Sequence, residues 1–378
     1  MKHVLIIAPF FSPNIGGVET RLDDICAELD KRGYAVTVLT YQPLITKAWG
    51  KTVEKKGNLH IYRFWWIGFD LFHKLKPFPL LQAFYICPVL FLVSFFYLFF
   101  KYKRIDVIHA TGFNAALIAR ILRLFFKKRW VVSTEAIYEL EKDSVIARLV
   151  KWILYRADIL LTLSEPSRQE LIDIGLDGRK IVNQISWVDQ ENFKPLDKTA
   201  SRAKTGLKNN FTVLFIGRLL EIKGVRDLSR VAEETPFIDY VFIGDGFLSG
   251  FLKEKAQKCK NLFYLSRIEN RNLPVYYNSA DIFIMPSQYK EGLGRVVAEA
   301  LSCGIPVVAS KLGGLSYILD DSVALMIEPT KENIKTALMS LYDNPEQLTL
   351  MRKNAREFAL KHFNSGNCEV IIRAYNFN

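Results

Sequence analysis

The feature that most constrains this chain is an alternation of short apolar runs with helical patterns, which occurs twice. In the first half the runs are rich in β-branched residues and lie at 4–8, 35–40, 59–64, 107–109, 130–133 and 159–163. In the second half they lie at 211–216, 240–243, 262–265, 282–285 and 306–309. Such alternation is typical of βαβ units with parallel, buried strands. The sequence therefore predicts two parallel-sheet α/β domains facing each other across a cleft, with ligands at the carboxyl ends of the strands.

The length of the chain and one polar stretch divide these elements into domains. At 378 residues the chain is long enough for two domains. Residues 189–210 are polar and basic and contain Pro195, which is typical of a linker. We therefore expect an N-terminal domain over residues 1–188, a C-terminal domain over 189–355, and a terminal helix over 356–378 that packs back toward the N-terminal domain.

The cysteines and the charge restrict the class of protein. The five cysteines are scattered and none forms a C-x-x-C pair, which favours a reducing cytosol and predicts neither a disulfide framework nor a zinc site. The net charge is +12, and residues 1–190 carry 26 basic and 18 acidic side chains, so +8 of it lies in the first half. The first half is thus the better candidate for an anionic partner. We do not expect nucleic acid, because no zinc-finger spacing or RNA-binding aromatic motif accompanies the charge.

Residues 77–100 form one long apolar run of 24 residues without a charge. Its length would allow a helix to span a bilayer. The run lies, however, between predicted strands at 59–64 and 106–110 of one sheet, and a spanning helix would put these strands on opposite sides of the membrane. We therefore predict a helix that is either buried against the sheet or lies at a membrane surface. Periodicity does not separate these two alternatives.

A glycine-containing segment follows the predicted strand at 211–216. Gly217 and Gly224 would let the backbone bend and approach a ligand closely. Arg218 and Lys223, five residues apart, could bracket a doubly charged group. The alternative is a solvated loop. The tight turn at 244–246 ends the next strand and is weak evidence on its own.

The strongest motif is the segment 289–300, in which glycines precede a predicted helix. The helix would begin near Gly294, where its free N–H groups form an anion site. Glu291 precedes this point, and Glu299 lies beyond it by about 8 Å along the helix axis. Carboxylates on both sides of an anion site suit a ligand with hydroxyls at both ends and a pyrophosphate between them, which is a sugar nucleotide. The alternative is that Glu291 is an exposed loop acid and Glu299 a solvated helix residue.

Taken together, these motifs resemble the retaining glycosyltransferases of family 4, or glycosyltransferase group 1. The resemblance extends over nearly the whole chain and rests on Gly16-Gly17-Val18-Glu19, Gly217-Arg218, Lys223-Gly224, Gly244-Asp245-Gly246, and Glu291 with Glu299. It implies the GT-B fold, in which two Rossmann-like domains face each other across a cleft. The N-terminal domain would then bind the acceptor, and the C-terminal domain would bind the nucleotide sugar.

The resemblance also implies three catalytic residues and a set of donor-binding residues. Arg218 and Lys223 would bind the donor diphosphate and stabilise the leaving group. Glu291 would hold the transferred sugar. The donor-binding residues would be Gly16, Gly17, Gly217, Arg267, Ile268, Gly292, Leu293, Gly294 and Glu299.

Within the donor-binding set the resemblance implies different contacts. Glu299 would hold the ribose hydroxyls. The main chain near Arg267 and Ile268 would contact the base. Gly16 and Gly17 would close from the other domain onto the phosphate and the acceptor.

The sequence departs from the family after the predicted strand at 130–133. The family usually has a histidine there, near the reacting sugar, whereas Glu135 follows Thr134 in this chain. A carboxylate cannot replace a neutral imidazole donor unless it is protonated. Glu135 is therefore either part of an acceptor or sugar site or a surface acid. His109 matches a common family position and is a second candidate for that site, although a lone histidine at a strand end is more often structural.

The resemblance implies transfer of a hexose-type sugar, with retention, from a UDP or GDP sugar to a glycan or lipid-linked acceptor in cell-surface polysaccharide or glycolipid synthesis. No cofactor is expected, and no metal, because the groups around the diphosphate are already cationic or dipolar. We expect a cytoplasmic protein, with a peripheral position on the anionic inner face of the membrane as a further hypothesis. The alternative is a non-catalytic GT-B module that binds sugar nucleotides, which Glu135 alone supports. A nicotinamide-dependent oxidoreductase is not expected, because no G-x-G-x-x-G follows the first strand.

Overall fold

The computed structural model describes residues 1–14, 16–68, 71–75 and 77–376. Over these residues the chain forms two compact units: Met1–Gln184 with the C-terminal segment from Gly366, and Ile185–Ser365. The predicted division placed the boundaries after residues 188 and 355 instead. The second boundary differs because the helix Pro345–His362 runs without interruption through residue 356.

In the described part of the chain, the first unit contains an eight-stranded sheet in the order β3-β4-β2-β1-β5-β6-β7-β8. Its strands are β1 His3–Ile7, β2 Ala35–Tyr41, β3 Val53–Lys56, β4 Leu59–Phe64, β5 Val107–Thr111, β6 Arg129–Ser133, β7 Ile159–Thr162 and β8 Ile181–Asn183. All neighbours pair in parallel except β3 and β4. The parallel sheet is the predicted one. Strand β3 was not predicted, because this edge strand has a single apolar residue, Val53, which is itself exposed.

The helices of this unit cover the two faces of the sheet. Before the C-terminal segment they are, among the described residues, α1 Gly17–Lys31, α2 Leu71–Lys74, α3 Pro79–Lys101, α4 Gly112–Phe125, α5 Val145–Leu154 and α6 Glu165–Asp173. The central strands are buried on both faces, as the continuous apolar runs predict for parallel strands.

The apolar run at 77–100 forms α3, the one helix of the described residues that is long and apolar enough to cross a membrane. The helix packs on the sheet through residues spaced four apart, Ile86, Leu90, Ser94 and Leu98. The Tyr41 hydroxyl donates to the Ile86 carbonyl at 2.7 Å and accepts from the Leu90 N–H at 2.9 Å, which ties the helix to β2. The opposite face of α3 remains apolar and exposed.

The second unit contains, among the described residues, a six-stranded parallel sheet in the order β11-β10-β9-β12-β13-β14. Its strands are β9 Phe211–Ile216, β10 Ile238–Ile243, β11 Leu262–Leu265, β12 Ile282–Met285, β13 Val307–Ser310 and β14 Ala324–Ile327. Its helices are α7 Lys198–Thr205, α8 Val225–Glu234, α9 Ser249–Lys258, α10 Pro274–Ser279, α11 Arg295–Ser302, α12 Lys331–Tyr342 and α13 Pro345–His362.

The interpretation of residues 189–210 as a linker is wrong for the part that forms α7. Arg202 is buried in this helix, and its guanidinium pairs with Asp281 at 2.9 Å and donates to the Ser279 carbonyl at 3.0 Å. The stretch is polar because its helix docks through a buried ion pair. Polarity alone therefore did not distinguish this docked helix from a solvated linker.

The C-terminal segment belongs to the first unit through the helix α14, Cys368–Tyr375. Tyr375 is buried, and Arg129 donates to the Ala374 carbonyl at 2.6 Å. The single terminal helix predicted over 356–378 is thus the end of α13 in one unit and α14 in the other; residues 377 and 378 lie outside the described residues.

Candidate active site

Four loops meet at the carboxyl edge of the second sheet, where β10, β9, β12 and β13 lie side by side. The loop after β9 is hydrogen-bonded to the end of β10, since the Gly217 N–H donates to the Ile243 carbonyl at 3.0 Å. It is also bonded to the loop after β12, since the Gln288 N–H donates to the Ile222 carbonyl at 2.8 Å. These loops therefore form one connected layer that presents the side chains of the predicted motifs together.

The close approach of these loops requires glycine at two positions. A Cβ on Gly244 would lie 1.9 Å from the Gly217 carbonyl oxygen, and one on Gly224 would lie 2.2 Å from the Pro286 carbonyl oxygen. Both glycines have positive φ, 147° and 71°, which other residues rarely adopt. The sequence suggested that the conformational freedom of Gly224 serves the approach to a ligand. In the structure, this glycine lets the loop after β9 pack against the loop after β12.

Lys223 and Glu291 form an ion pair between the loops after β9 and β12. The Ser287 hydroxyl donates to the same Glu291 oxygen at 2.7 Å, and the Gly314 N–H donates to the Glu291 carbonyl at 2.7 Å. The Glu291 side chain is nearly buried, so its interpretation as an exposed loop acid is wrong. Burial lowers the pKa of Lys223, and the neighbouring Glu291 carboxylate opposes that shift.

Arg218 lies at the same edge, with an exposed side chain. Its positive charge is near enough to contribute to the lowered pKa of Lys223. No carboxylate among the described residues forms an ion pair with its guanidinium. The edge therefore presents one exposed cation beside a second, partly buried one.

Helix α11 begins at this edge, directly after Gly294. The φ of Gly294 is 61°, and a Cβ there would lie 2.9 Å from the Met285 side chain, so both conformation and space favour glycine. No side chain of the described residues caps the helix start. Leu293 is buried in the core and anchors the turn, while Gly292 is half-buried.

Glu299 lies inside α11 and is only 1% exposed, which rules out the interpretation as a solvated helix residue. One carboxylate oxygen accepts from Asn270 at 2.8 Å and from Arg295 at 3.1 Å, and the other accepts from the Tyr277 hydroxyl at 2.9 Å. A carboxylate has about four acceptor positions, so these three donors leave one acceptor position unfilled. Of the three, only Arg295 was accessible to sequence reasoning, through its four-residue spacing from Glu299.

Arg267 and Ile268 follow β11 at the end of the same sheet. Arg267 is exposed, and Ile268 is half-buried against the core. Partial loss of hydration at the base of this side chain lowers the pKa of Arg267, and the nearby Asp245, in the loop after β10, opposes this shift. This main-chain segment is thus a neighbour of the loop after β10.

In the first unit, Gly16 and Gly17 lie where α1 begins after β1. A Cβ on Gly16 would lie 2.5 Å from a carboxylate oxygen of Glu19, whereas one on Gly17 would meet no atom within 4 Å. A larger residue at position 16 would therefore require the Glu19 carboxylate to move. Gly17 leaves open space at the start of the helix.

Glu135 is half-buried, with only 12% of its side chain exposed, so its interpretation as a surface acid is wrong. Its carboxylate accepts from the Arg21 guanidinium at 2.5 Å, and the same guanidinium donates to Gln184 at 2.7 Å. Burial raises the pKa of Glu135, and Arg21 opposes that shift. Sequence reasoning missed Arg21, because a charged residue on α1 gives no sign of a partner more than a hundred residues away.

His109 does not reach a substrate site in this unit. It is fully buried, with Nδ1 at 2.6 Å from the Tyr375 hydroxyl and Nε2 at 2.8 Å from the Ser133 hydroxyl. Burial lowers its pKa to about 3, so the ring is neutral. Because both nitrogens are bonded to protein, the assignment of His109 to an acceptor or sugar site is corrected to a structural role.

Among the described residues, no cluster of three or more His, Cys, Asp or Glu is placed to hold a metal ion.

Comparison with solved structures identifies the class. The structure of HepE from Anabaena in complex with UDP-glucose has a TM-score of 0.78 with this chain, covers 99% of it and 98% of its own length, and is 19% identical. The fold is therefore that of the two-domain GT-B glycosyltransferases.

Sequence comparison gives the family. The family model for glycosyl transferases group 1 matches residues 197–358, and the model for the glycosyl transferase 4-like domain matches residues 16–183. The chain belongs to the group 1 glycosyltransferases of family 4 and is a transferase.

Two curated relatives extend the comparison. An uncharacterized glycosyltransferase of Methanocaldococcus jannaschii is 24% identical over 96% of this chain and 95% of its own length. The alpha-galactosylglucosyldiacylglycerol synthase of Streptococcus pneumoniae is 26% identical over 58% of this chain and 62% of its own length.

Proposed function

We propose that this glycosyltransferase transfers a hexose-type sugar, with retention of configuration, from a UDP or GDP sugar to a glycan or lipid-linked acceptor. The observation that carries the proposal is the convergence of Arg218, Lys223 and Glu291 at one sheet edge, beside the start of α11. Two cations next to an uncapped helix start suit a diphosphate. The UDP-glucose bound to HepE supports a nucleotide-sugar donor of this kind.

Charge stabilisation is the main chemical contribution of this site. When the bond between the sugar and the diphosphate breaks, negative charge develops on the departing phosphate. Arg218, Lys223 and the N–H groups at the start of α11 would stabilise that charge, which is electrostatic preorganisation. Lys223 has three N–H donors and uses one of them for Glu291, so its other donors are available to the phosphate. These groups supply the positive charge that a divalent metal would otherwise provide.

Retention follows if the acceptor approaches the sugar on the face that the phosphate leaves. The acceptor oxygen then bonds to the anomeric carbon as the carbon–oxygen bond to phosphate breaks. The acceptor proton passes to the departing phosphate oxygen, so the step balances without a protein base. Glu291 would hold sugar hydroxyls during this step, beside the main chain of residues 292–294.

The nucleoside would lie along the same edge. The remaining acceptor position on Glu299 would take a ribose hydroxyl, and the burial of this carboxylate favours a fixed orientation. The base would contact the main chain near Gly217, Arg267 and Ile268, which follow β9 and β11.

The proposed acceptor and location are supported by the first unit and by one relative. We place the enzyme in the cytoplasm, peripheral on the inner face of the membrane, in cell-surface polysaccharide or glycolipid synthesis. The relative from Streptococcus pneumoniae, whose name specifies a glycosyldiacylglycerol, supports an acceptor of lipid character. The +8 charge of residues 1–190 and the exposed apolar face of α3 support a membrane location.

A second candidate function is a non-catalytic module that binds sugar nucleotides. The pair of Glu135 with Arg21 favours it, because the family's usual histidine is replaced by a carboxylate that already has a partner. Both candidate functions include binding of the donor, but only the enzyme would turn the donor over. Donor hydrolysis or transfer therefore separates them.

The test is a thermal-shift panel of UDP, GDP, ADP and their sugars, followed by a hydrolysis assay with each ligand that binds. A ligand present at about 100 times its Kd should add about 2.7 kcal/mol to the free energy of unfolding. The variants Arg218→Ala and Lys223→Ala should lose most of the shift, and Lys253→Ala, an exposed lysine on α9, is the matched control. A panel in which no nucleotide raises the melting temperature would contradict the proposal, and a shift without turnover would favour the non-catalytic module.

A further inference from the structure

Three neighbouring helices of the first unit expose apolar side chains to solvent. On α3, Phe84 is 75% exposed and Phe99 is 64% exposed. Phe125 at the end of α4, and Ile146 and Trp152 on α5, are each at least half exposed. Single exposed apolar residues are normal, but a contiguous set marks a binding surface. We call this set the α3–α5 face.

Helix α5 shows that this exposure does not come from α3 alone. Its residues Ala147, Val150, Ile153 and Leu154 are buried at helical spacing. A helix of this kind normally carries polar residues on its outer side. Here the outer side carries Val145, Ile146, Leu149 and Trp152, which are all exposed. Apart from the exposed Arg148, the helix is therefore apolar on the side that does not pack in the fold.

The three helices form one continuous surface. The ring of Phe95 on α3 lies 5.3 Å from the ring of Phe125 at the end of α4. The guanidinium of Arg120 on α4 lies 5.1 Å from the ring of Trp152 on α5. Helix α4 thus joins α3 to α5, and Arg120 places a cation inside the apolar surface.

The charge of these helices has one sign. The sequences of α3, α4 and α5 contain five basic residues and no acidic one. The basic residues are Lys101, Arg120, Arg123, Arg148 and Lys151. Arg123 pairs with Asp158 at 2.9 Å, which leaves four of the five cations to contribute charge to the face. Apolar and aromatic side chains interleaved with cations are typical of helices that lie in the interface of an anionic bilayer.

Two other occupants fit the face less well. A second copy of this chain, packed through the same face, would bring together two sets of four cations beyond the paired Arg123, which is unfavourable. A membrane-spanning α3 would have to break the bonds of the Tyr41 hydroxyl to Ile86 and Leu90 and the contact between Thr37 and Tyr97 at 3.0 Å.

We propose that the α3–α5 face docks the first unit on an anionic bilayer, with α3 and α5 lying in the interface rather than crossing it. The inference rests on the membrane location of the proposed function and assigns that location to a defined surface. It also predicts the mode of binding. Apolar insertion supplies part of the affinity, so high salt should weaken binding to the vesicles without abolishing it.

The test is co-flotation of the full chain with vesicles of equimolar phosphatidylglycerol and phosphatidylcholine, and with vesicles of phosphatidylcholine alone. We expect binding to the anionic vesicles, weaker binding to the neutral ones, and partial retention at high salt. Replacing Phe99 and Ile146 by Gln should reduce partitioning by about tenfold or more, because two apolar side chains leave the interface. The matched control is Leu350→Gln, at an exposed leucine of α13 in the other unit.

The results separate this inference from the donor site. Loss of vesicle binding in Phe99→Gln with Ile146→Gln, together with an unchanged nucleotide-induced thermal shift, supports it. Equal binding of that variant and wild type overturns it, as does equal binding to neutral and anionic vesicles. A wild type that shows the thermal shift but ignores vesicles refutes the docking face alone. A dimer in sedimentation that the double variant abolishes would assign the face to a second copy, and recovery of the protein only with detergent would assign α3 to a span.

Discussion

The carboxyl edges of the two parallel sheets use polar side chains in different ways. In the second unit, Arg218 is exposed, and Lys223 pairs with Glu291 in the layer of loops. In the first unit, the buried Arg21 donates to the half-buried Glu135 and to Gln184. Charged side chains at the carboxyl edge of a parallel sheet can therefore either face solvent, where they can bind a ligand, or pair with another residue of the protein. The sequence alone does not reveal which of the two a charged residue does.

The largest effect should come from breaking the buried pair of the first unit. Replacing Arg21 by Ala leaves Glu135 without its cation and should lower the free energy of unfolding by about 3–5 kcal/mol, as measured by urea denaturation. The double variant with Glu135→Ala removes both charges and should cost less than Arg21→Ala alone. If both variants are as stable as wild type, the ion pair of Arg21 and Glu135 does not stabilise the first unit.

The buried histidine should give the first unit a pH dependence. The pKa of His109 is about 3 in the fold and 6.5 ordinarily, so between these values the unfolded chain binds the extra proton. Stability attributable to His109 is therefore complete above pH 6.5 and is lost on acidification by about 1.4 kcal/mol per pH unit.

The variant His109→Asn tests this slope. Its urea-unfolding free energy should approach that of wild type as the pH falls from 7 to 5. Curves for the two proteins that stay parallel over this range would contradict the assignment.

The smallest effect on stability should come from substitutions on the solvent-exposed faces of α5 and α8, which are equally long. Helix α8 in the second unit and α5 in the first have ten residues each, but α8 exposes Arg230 where α5 exposes Ile146 and Trp152. Ile146→Gln with Trp152→Gln, and Arg230→Gln as the control on α8, should each change the free energy of unfolding by no more than about 0.5 kcal/mol. A large loss in the α5 variant would mean that its outer face packs against protein.

Much of the fold could be predicted, because parallel strands are marked by continuous apolar runs. The exceptions have physical reasons. Strand β3 is an edge strand with one apolar residue, and α7 docks through the buried charge of Arg202. The position of α3 could not be predicted, because it depends on a tertiary contact. The Tyr41 hydroxyl bonds to the main chain of Ile86 and Leu90.

The candidate site was predictable where its residues are close in sequence. The spacing of Glu291 and Glu299 around a helix start, and that of Arg218 and Lys223 after a strand, can be read along the chain. The partners Asn270, Tyr277 and Arg21 could not be predicted, because tertiary structure alone brings them to their carboxylates.

In the proposed function, Arg218, Lys223 and the start of α11 hold the diphosphate of an activated sugar. The most direct test is the kcat of donor turnover in Arg218→Ala, with Lys253→Ala as the control. Because Arg218 is exposed, its replacement should leave the melting temperature unchanged while kcat falls by about 100-fold or more. Near-normal turnover in Arg218→Ala, with the control equally active, would contradict the account.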